Sequence, residues 1–377
     1  MAAPTSAELL AAQAEHEIAD LRQVSSVLDA VAPANATGRA VRDRFAGLIA
    51  GAVAKLAEIK KDANPGAGWA KLETARVSAS EIKKEALSFT QGELLRRSGH
   101  DQGIGEVAEH LLEHLRRRTG VERGVLLSVA ENEFFEHTVS MVRSRFPDVS
   151  VWKLPVLAHE FGHHVASALS HSDPALRDDF RPVRAHLSEL AGTGPDRKVR
   201  LAHANELFAD VYATYVLGAA YPFAMFTLAA RPDVPGTTSE THPPWSLRVR
   251  TVEATVAVLG EDGQANCDGY SALGRVLATL ADTVAANTPC TEEIRGRAKA
   301  MVGLLTTHAL PGARYEMPAR VQELVHDRFM TSPAPDVTIA DVLNAAWTWR
   351  LDHWDCEDWL LGKVSKRALA LCREVKE

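Results

Sequence analysis

Two histidines four residues apart, His159 and His163, with Glu160 directly after the first, constrain the fold of this 377-residue chain more than any other feature. In an α-helix, residues i and i+4 lie on one face, so both imidazoles can bind one metal ion while Glu160 lies beside it. Pro155 suits the first turn of such a helix. The surrounding apolar residues predict a buried face: Val156, Leu157, Phe161, Val165 and Leu169. The sequence therefore predicts a buried helix that carries two ligands of a zinc site.

A third ligand is expected on a second helix. Residues from about 199 to 220 show apolar positions at helical spacing, which places Glu206 and Asp210 on one face. Glu206 would complete a site of three protein ligands with water in the fourth position. Asp210 is placed to hydrogen-bond the outer nitrogen of a ligand histidine, and the small side chain of Ala209 would let the two helices approach closely. The sequence thus predicts two active-site helices.

Three blocks of sequence, in order, resemble those of the gluzincin metallopeptidases. They are HEFGH at 159–163, NELFAD at 205–210 and THPP at 241–244, followed by Arg248. The chain is most similar to the group that contains the membrane heat-shock endopeptidases and the CAAX prenyl endopeptidases. The resemblance covers about residues 150 to 250. It implies a zinc metalloendopeptidase that acts on a peptide or protein substrate.

The resemblance also implies roles for individual residues. His159, His163 and Glu206 would hold one Zn²⁺ per chain, Glu160 would be the general base, and Asp210 would support the site.

In that group the histidine of the Thr-His-Pro block lies near the active site, which makes His242 a candidate for stabilising the tetrahedral intermediate. Tyr212 is a second candidate for this role. Arg248 could fill it as well, or could anchor its segment through a carboxylate.

Two other interpretations remain open. One is a non-catalytic zincin-like metal-binding interaction module, and the other is a helical interaction protein whose motif is fortuitous. Glu160 argues against the first, because a purely structural zinc site normally closes its fourth position with another protein ligand.

A second metal-type pattern, HLLEH at 110–114, fits the inverted HxxEH zinc motif. The apolar stripe of that segment leaves His110 and His114 toward the charged flank. We therefore interpret it as the exposed face of a helix and not as a metal site.

Composition excludes several classes of protein. The chain is 46% hydrophobic and 24% charged, as expected of a globular protein, and its net charge of −7 provides no basic surface for nucleic acid. The uncharged run at 211–230 approaches membrane-spanning length, but its content of Ala, Thr and Tyr favours a buried helix broken near Pro222. The N-terminus lacks a signal peptide pattern and the four cysteines form no Cys-x-x-Cys pair, so we expect a cytoplasmic protein.

The chain is expected to form three regions. Residues 1–120 and 259–377 are expected to be helical, and residues 121–258 are expected to form a zincin-like catalytic domain. In the first region, Thr5 to Glu8 resembles a capping box, and Ile18, Leu21, Val24 and Leu28 form an apolar stripe.

Residues 124–130 and 149–152 are the best strand candidates. The expected fold class is mostly α (α+β), with a zincin-like catalytic core that contains a small sheet and two active-site helices.

Overall fold

The structure is a computed structural model of the chain. It describes residues 5–31, 33, 36–61, 65–99, 103–120, 126–130, 134–136, 141–145, 150–170, 181–229, 236, 238–261, 267–285, 287–316, 320–327, 329 and 336–375. The chain forms two compact units. The first comprises Met1–Gly105 and Leu126–Pro147, and the second comprises Glu106–Val125 and Asp148–Glu377.

The first unit contains three long helices, α1 (Ser6–Ala30), α2 (Ala36–Lys60) and α3 (Pro65–Arg97). The predicted capping box at the start of α1 is confirmed, because the Thr5 side chain accepts from the Glu8 backbone N–H and the Glu8 carboxylate accepts from the Thr5 backbone. The predicted stripe of α1 is buried in a core shared with the other two helices. Burial of this stripe stabilises the helices more than their intrinsic propensity does.

Three short strand segments belong to the first unit: β1 (Leu126–Ala130), β2 (Phe134–Glu136) and β3 (Met141–Arg145). Strand β3 pairs in parallel with β1 and antiparallel with β2.

The expected α+β class, with a sheet in the catalytic core, is wrong: helices make up nearly all of the described secondary structure, so the fold class is all-α, and the three short strand segments lie outside the unit that carries the predicted ligands. The described residues of the second unit form helices and turns without a strand. Residues 151–155, which overlap the strand candidate at 149–152, form turns that lead into a helix. The Trp152 ring packs edge-on against Trp347 with centroids 5.6 Å apart. Tertiary packing therefore overrides the β propensity of this short segment.

The second unit is built from helices along its described length, interrupted by two π-helical turns at Met225–Ala229 and Leu305–Ala309. The helices are α4 (Ile104–Thr119), α5 (Val156–Ser170), α6 (Arg181–Ala191), α7 (Arg197–Leu217), α8 (Ala220–Ala224), α9 (Trp245–Glu261), α10 (Cys267–Val284), α11 (Glu292–Leu304), α12 (Arg320–His326), α13 (Ile339–Asp352) and α14 (Asp358–Glu374).

Residues 211–226 of the uncharged run are buried, as predicted, but the break lies earlier than Pro222. Helix α7 ends at Leu217, and Gly218 follows with φ of 66°, a left-handed conformation that favours glycine. Pro222 lies within the first turn of α8, where its missing N–H costs no helical hydrogen bond. Within the described ranges, no helix combines the length and the apolar character needed to cross a membrane.

Helices α5 and α7 approach each other closely at Gly162 and Ala209. A Cβ at Gly162 would lie 2.9 Å from the Ala209 Cα and 3.1 Å from the Tyr212 ring. Two small residues at this point allow the helix axes to approach more closely than larger side chains would permit. This contact brings the faces that carry the predicted ligands together.

The interpretation of the HLLEH segment was correct for His110 and wrong for His114. His110 is exposed on α4, but His114 is buried. His114 follows Leu111 by three positions and Val107 by seven, so it lies on the buried stripe and not on the charged flank. The two histidines therefore do not share an exposed face.

Candidate metal centre

Three predicted ligands converge between α5 and α7. His159 Nε2 lies 3.1 Å from His163 Nε2 and 3.5 Å from Glu206 Oε2, and His163 Nε2 lies 3.1 Å from Glu206 Oε1. Among the described residues, these three form the one group of His, Cys, Asp or Glu side chains whose donor atoms all lie within 4.8 Å of one another. His159 and Glu206 are buried and His163 is partly exposed. The group could hold a metal ion that is reached from one side.

The donor atoms suit a small tetrahedral ion. Ligands at zinc distances of about 2.0 to 2.1 Å lie about 3.3 Å from one another in a tetrahedral site, which matches the separations of 3.1 to 3.5 Å found here. Glu206 Oε2 is buried and makes no hydrogen bond with the described residues. Arg248 Nη1 lies 3.4 Å from this oxygen without forming a hydrogen bond, and a metal ion would satisfy the buried carboxylate more fully. Two imidazoles and one carboxylate form a donor set typical of zinc.

Asp210 orients the first histidine. Its Oδ1 lies 3.0 Å from His159 Nδ1, so the Nδ1–H donates to the carboxylate and Nε2 faces the other ligands. Burial alone would lower the pKa of His159, but its hydrogen bonds with Asp210 and Glu206 outweigh burial and raise that pKa to about 10. Burial raises the pKa of Glu206, but the two histidines outweigh this and hold the pKa well below its ordinary range.

Arg248, on α9, binds the same aspartate. Its Nε and Nη2 donate to the two oxygens of Asp210 at 2.8 and 2.7 Å, and Nη1 lies 3.4 Å from Glu206 Oε2. Burial would raise the pKa of Asp210, but the charge and hydrogen bonds of Arg248 lower it to about 2. The guanidinium also lies over the Trp245 ring, 4.7 Å from its centroid. Arg248 thus anchors α9 to α7 through a carboxylate, one of the two roles that the sequence left open.

Tyr221, on α8, is a site residue that sequence reasoning missed. Its hydroxyl donates to Asp210 Oδ1 and lies 3.1 Å from His159 Nδ1, and its ring is nearly parallel to the His159 ring. Burial and the Asp210 charge raise the pKa of Tyr221 well above its usual value, so the hydroxyl stays protonated. The available signal was a buried tyrosine in an uncharged run, since a buried Tyr hydroxyl normally has a hydrogen-bond partner.

Glu160 lies on α5 between the two histidine ligands. The side chain is buried, with a relative exposure of 9%, and it forms no hydrogen bond or ion pair with the described residues. A carboxylate placed beside the ligands and not engaged in a structural contact is suited to act as a base.

His242 lies at the exposed rim of the centre, with 57% of its side chain accessible. Its Nε2 is 3.5 Å from Glu206 Oε1. The His242 backbone N–H donates to Ser239 Oγ, and the His203 ring on α7 donates to the Ser239 carbonyl at 2.8 Å. These contacts hold the His242 segment against α7.

Tyr212, the second oxyanion candidate, lies elsewhere. It is fully buried, and its ring stacks on Phe161 and contacts Phe208. Burial raises the pKa of Tyr212 well above its usual value. This side chain belongs to the packing between α5 and α7 and does not reach the rim where His242 lies.

Comparison with known proteins identifies no relative. The chain matches no protein-family model, no curated protein and no solved structure. What the structure shows is a group of three side chains that could hold a metal ion: His159 and Glu206, which are buried, and His163, which is partly exposed.

Proposed function

We propose that the chain is a zinc metalloendopeptidase of the gluzincin type that hydrolyses peptide bonds. The observation that carries the proposal is the convergence of His159, His163 and Glu206 beside the unengaged carboxylate of Glu160. An open side is what a catalytic zinc site needs, because a water and a substrate must share the fourth position. The exposed edge of His163 supports such an opening.

In the proposed reaction each residue of the centre has its own task. When bound, Zn²⁺ supplies the Lewis acidity that activates water and polarises a carbonyl group. Glu160 accepts the proton of the attacking water and delivers it to the leaving amine. Asp210 holds the proton on His159 Nδ1, which leaves the lone pair of Nε2 to bind the metal ion. Arg248 keeps Asp210 ionised.

His242 is proposed to stabilise the negative charge that develops on the carbonyl oxygen. It is the exposed side chain nearest to the carboxylate ligand among the sequence-predicted residues, and Ser239 restrains its backbone. A donor that is held in place before the reaction stabilises the transition state without a reorganisation cost.

The alternative is a non-catalytic zincin-like metal-binding module. It predicts the same metal ligands but assigns no task to Glu160. Peptide substrates and a cytoplasmic location stay predictions from the sequence, as does the absence of a nucleic-acid partner.

Proteolysis by a variant at Glu160 separates the two functions. Zinc-loaded wild type, Glu160→Gln and a control, Glu261→Gln at the exposed end of α9, would be incubated with an unfolded protein and a mixed peptide library. We expect wild type and the control to cleave and Glu160→Gln to lose cleavage while it keeps zinc, because Glu160 is not a ligand. Equal cleavage by wild type and Glu160→Gln, or none by wild type, would leave the metal-binding module as the better description.

A further inference from the structure

The hydroxyl of Tyr221 contacts both Asp210 and a candidate metal ligand. It donates to Asp210 Oδ1, and its oxygen lies 3.1 Å from His159 Nδ1. The same Nδ1 atom lies 3.0 Å from Asp210 Oδ1, so the three atoms form a closed triangle. The Nδ1–H of His159 therefore has two oxygen acceptors, and one of them, the hydroxyl, directs its own O–H at the carboxylate.

The carboxylate of Asp210 receives four donors. Arg248 donates to both of its oxygens, and Tyr221 and His159 donate to Oδ1. A carboxylate offers about four lone-pair sites, so this group is saturated. Asp210 is also buried, and a rotation of its carboxylate would break hydrogen bonds that solvent does not replace. Each donor thus helps to fix the orientation in which Asp210 meets His159.

The ring of Tyr221 also restrains the His159 ring. The two rings are stacked, with planes 7° apart and centroids 5.9 Å apart. A turn of the imidazole would move its Nε2 away from His163 Nε2 and Glu206 Oε2, which lie 3.1 and 3.5 Å from it. Contact with one face of the imidazole and a hydrogen bond at its Nδ1 oppose that turn.

The backbone that carries Tyr221 is held by a buried side chain of another helix. Asn344, on α13, donates to the Leu217 carbonyl at 2.7 Å and accepts from the Ala220 N–H at 3.0 Å. These two bonds hold the turn between α7 and α8, and Tyr221 follows directly after it. A side chain supported in this way keeps its geometry before a metal ion arrives.

Two other buried tyrosines of α7 have partners typical of packing. The Tyr215 hydroxyl donates to a backbone carbonyl at 3.0 Å, and the Tyr212 ring packs against aromatic rings. Within the described part of the chain, neither hydroxyl has a hydrogen bond with Asp210 or with a candidate ligand. Tyr221 instead contacts an ionised carboxylate and a ligand imidazole, a pair of partners that packing alone does not require.

We propose that Tyr221 is a positioning residue of the metal centre. Its hydroxyl and ring hold Asp210 and His159 so that the imidazole Nε2 faces the other two ligands, and this restraint sets the affinity of the centre for zinc. The inference rests on the zinc centre of the proposed function and does not require peptide hydrolysis. Groups that contact a ligand histidine affect metal affinity because they fix its tautomer and the direction of its ligand nitrogen.

The zinc affinity of two Tyr-to-Phe variants tests the proposal. The metal-free protein, Tyr221→Phe and the control Tyr212→Phe would each compete for zinc with a chromogenic chelator. Both variants keep a buried ring and lose one hydroxyl, so they differ in whether that hydroxyl contacts the centre. We expect Tyr221→Phe to bind zinc about 10- to 100-fold more weakly and Tyr212→Phe to keep the wild-type affinity. Equal affinities of wild type and Tyr221→Phe, or equal losses in the two variants, would overturn the proposal.

Two further measurements separate positioning from a loss of stability. Tyr221→Phe would also be made together with Gly296→Ala, which is expected to stabilise α11 because a Cβ there meets nothing within 4 Å. Visible absorption of the Co²⁺-loaded proteins reports the geometry of the ligands. We expect the spectrum of Tyr221→Phe to differ from that of wild type with and without Gly296→Ala. Wild-type zinc affinity in the double variant would overturn the proposal, because the hydroxyl would then contribute only stability.

The failure of this inference can be distinguished from the failure of the proposed function. If wild type binds zinc but cleaves no substrate, the peptidase proposal fails, and the zinc affinities still decide about Tyr221. If wild type cleaves and Tyr221→Phe keeps its zinc affinity, the inference alone fails. A wild type that binds no zinc would overturn both.

Discussion

Arg248 and Asp210 form a buried ion pair with two parallel hydrogen bonds, of 2.8 and 2.7 Å. Asp210 in turn contacts His159, so the pair links α9 to the metal-binding face of α5 through α7. Arg248 is far from His159 in sequence, yet through Asp210 it supports the first of the three candidate metal ligands.

Loss of Arg248 should destabilise the protein. In Arg248→Gln the Asp210 carboxylate stays buried without its cation, and breaking a buried pair in this way costs about 3 to 5 kcal/mol. Urea denaturation of the metal-free protein would measure the change, and zinc content should also fall. Arg297→Gln, whose ion pair is exposed, should change stability by less than about 0.5 kcal/mol. Equal midpoints for the two variants would contradict the importance of the buried pair.

The metal stoichiometry tests the ligand set. Elemental analysis should find about one zinc per chain, as expected for three protein ligands with one open position. His163→Ala should lose most of this zinc, whereas His110→Ala, in the HLLEH segment of α4, should retain it. Unchanged zinc in His163→Ala would remove the proposed centre.

Zinc binding should release a proton. His159 has its pKa raised to about 10 in the metal-free protein, so at pH 7 its Nε2 carries a proton that a metal ion must displace. The apparent zinc affinity should therefore rise with pH up to about pH 10 and fall as pH is lowered. Calorimetric titration in two buffers of different ionisation enthalpy would measure about one proton released per zinc from this group. An enthalpy independent of the buffer would contradict the prediction.

Gly162→Ala should be destabilising although Ala favours helices. The added Cβ would meet the Ala209 backbone at 2.9 Å, and overpacking of this kind costs about 1 to 3 kcal/mol. Because the substitution pushes α5 away from α7, zinc affinity should fall as well. Gly296→Ala on α11, where a Cβ would meet nothing within 4 Å, should instead gain about 0.5 to 1 kcal/mol. Thermal unfolding of both variants tests whether close helix contact governs the site.

His242→Ala should lower kcat by about 10²- to 10³-fold with little change in KM or zinc content, because an oxyanion donor acts mainly in the transition state. Steady-state kinetics on one cleaved peptide, with zinc analysis in parallel, would measure this. Thr241→Ala, which removes a hydroxyl 2.8 Å from His242 Nδ1, should have a smaller effect. Full kcat in His242→Ala would remove this residue from the mechanism, and loss of zinc would identify it as a ligand.

The local part of the site could be read from the sequence. Helical periodicity places His159 with His163, and Glu206 with Asp210, on common faces, because an i, i+4 spacing depends on backbone geometry alone. The cap at Thr5 and the buried stripe of α1 follow from equally local patterns. These features were predicted in the places where the structure has them.

Contacts between distant segments were decided by the tertiary structure. The sequence pointed to Tyr212 beside the site, whereas the structure places Tyr221 there, because the turn at Gly218 redirects the chain after α7. The sequence likewise left open whether Arg248 meets substrate or a carboxylate, and it assigned a sheet to the catalytic unit, which is helical in its described residues. The spacing of residues along one helix depends on a few consecutive residues. The position of Tyr221, the partner of Arg248 and the absence of a sheet from the helical unit depend instead on which buried groups meet across the fold, and only the packing of the whole unit determines this.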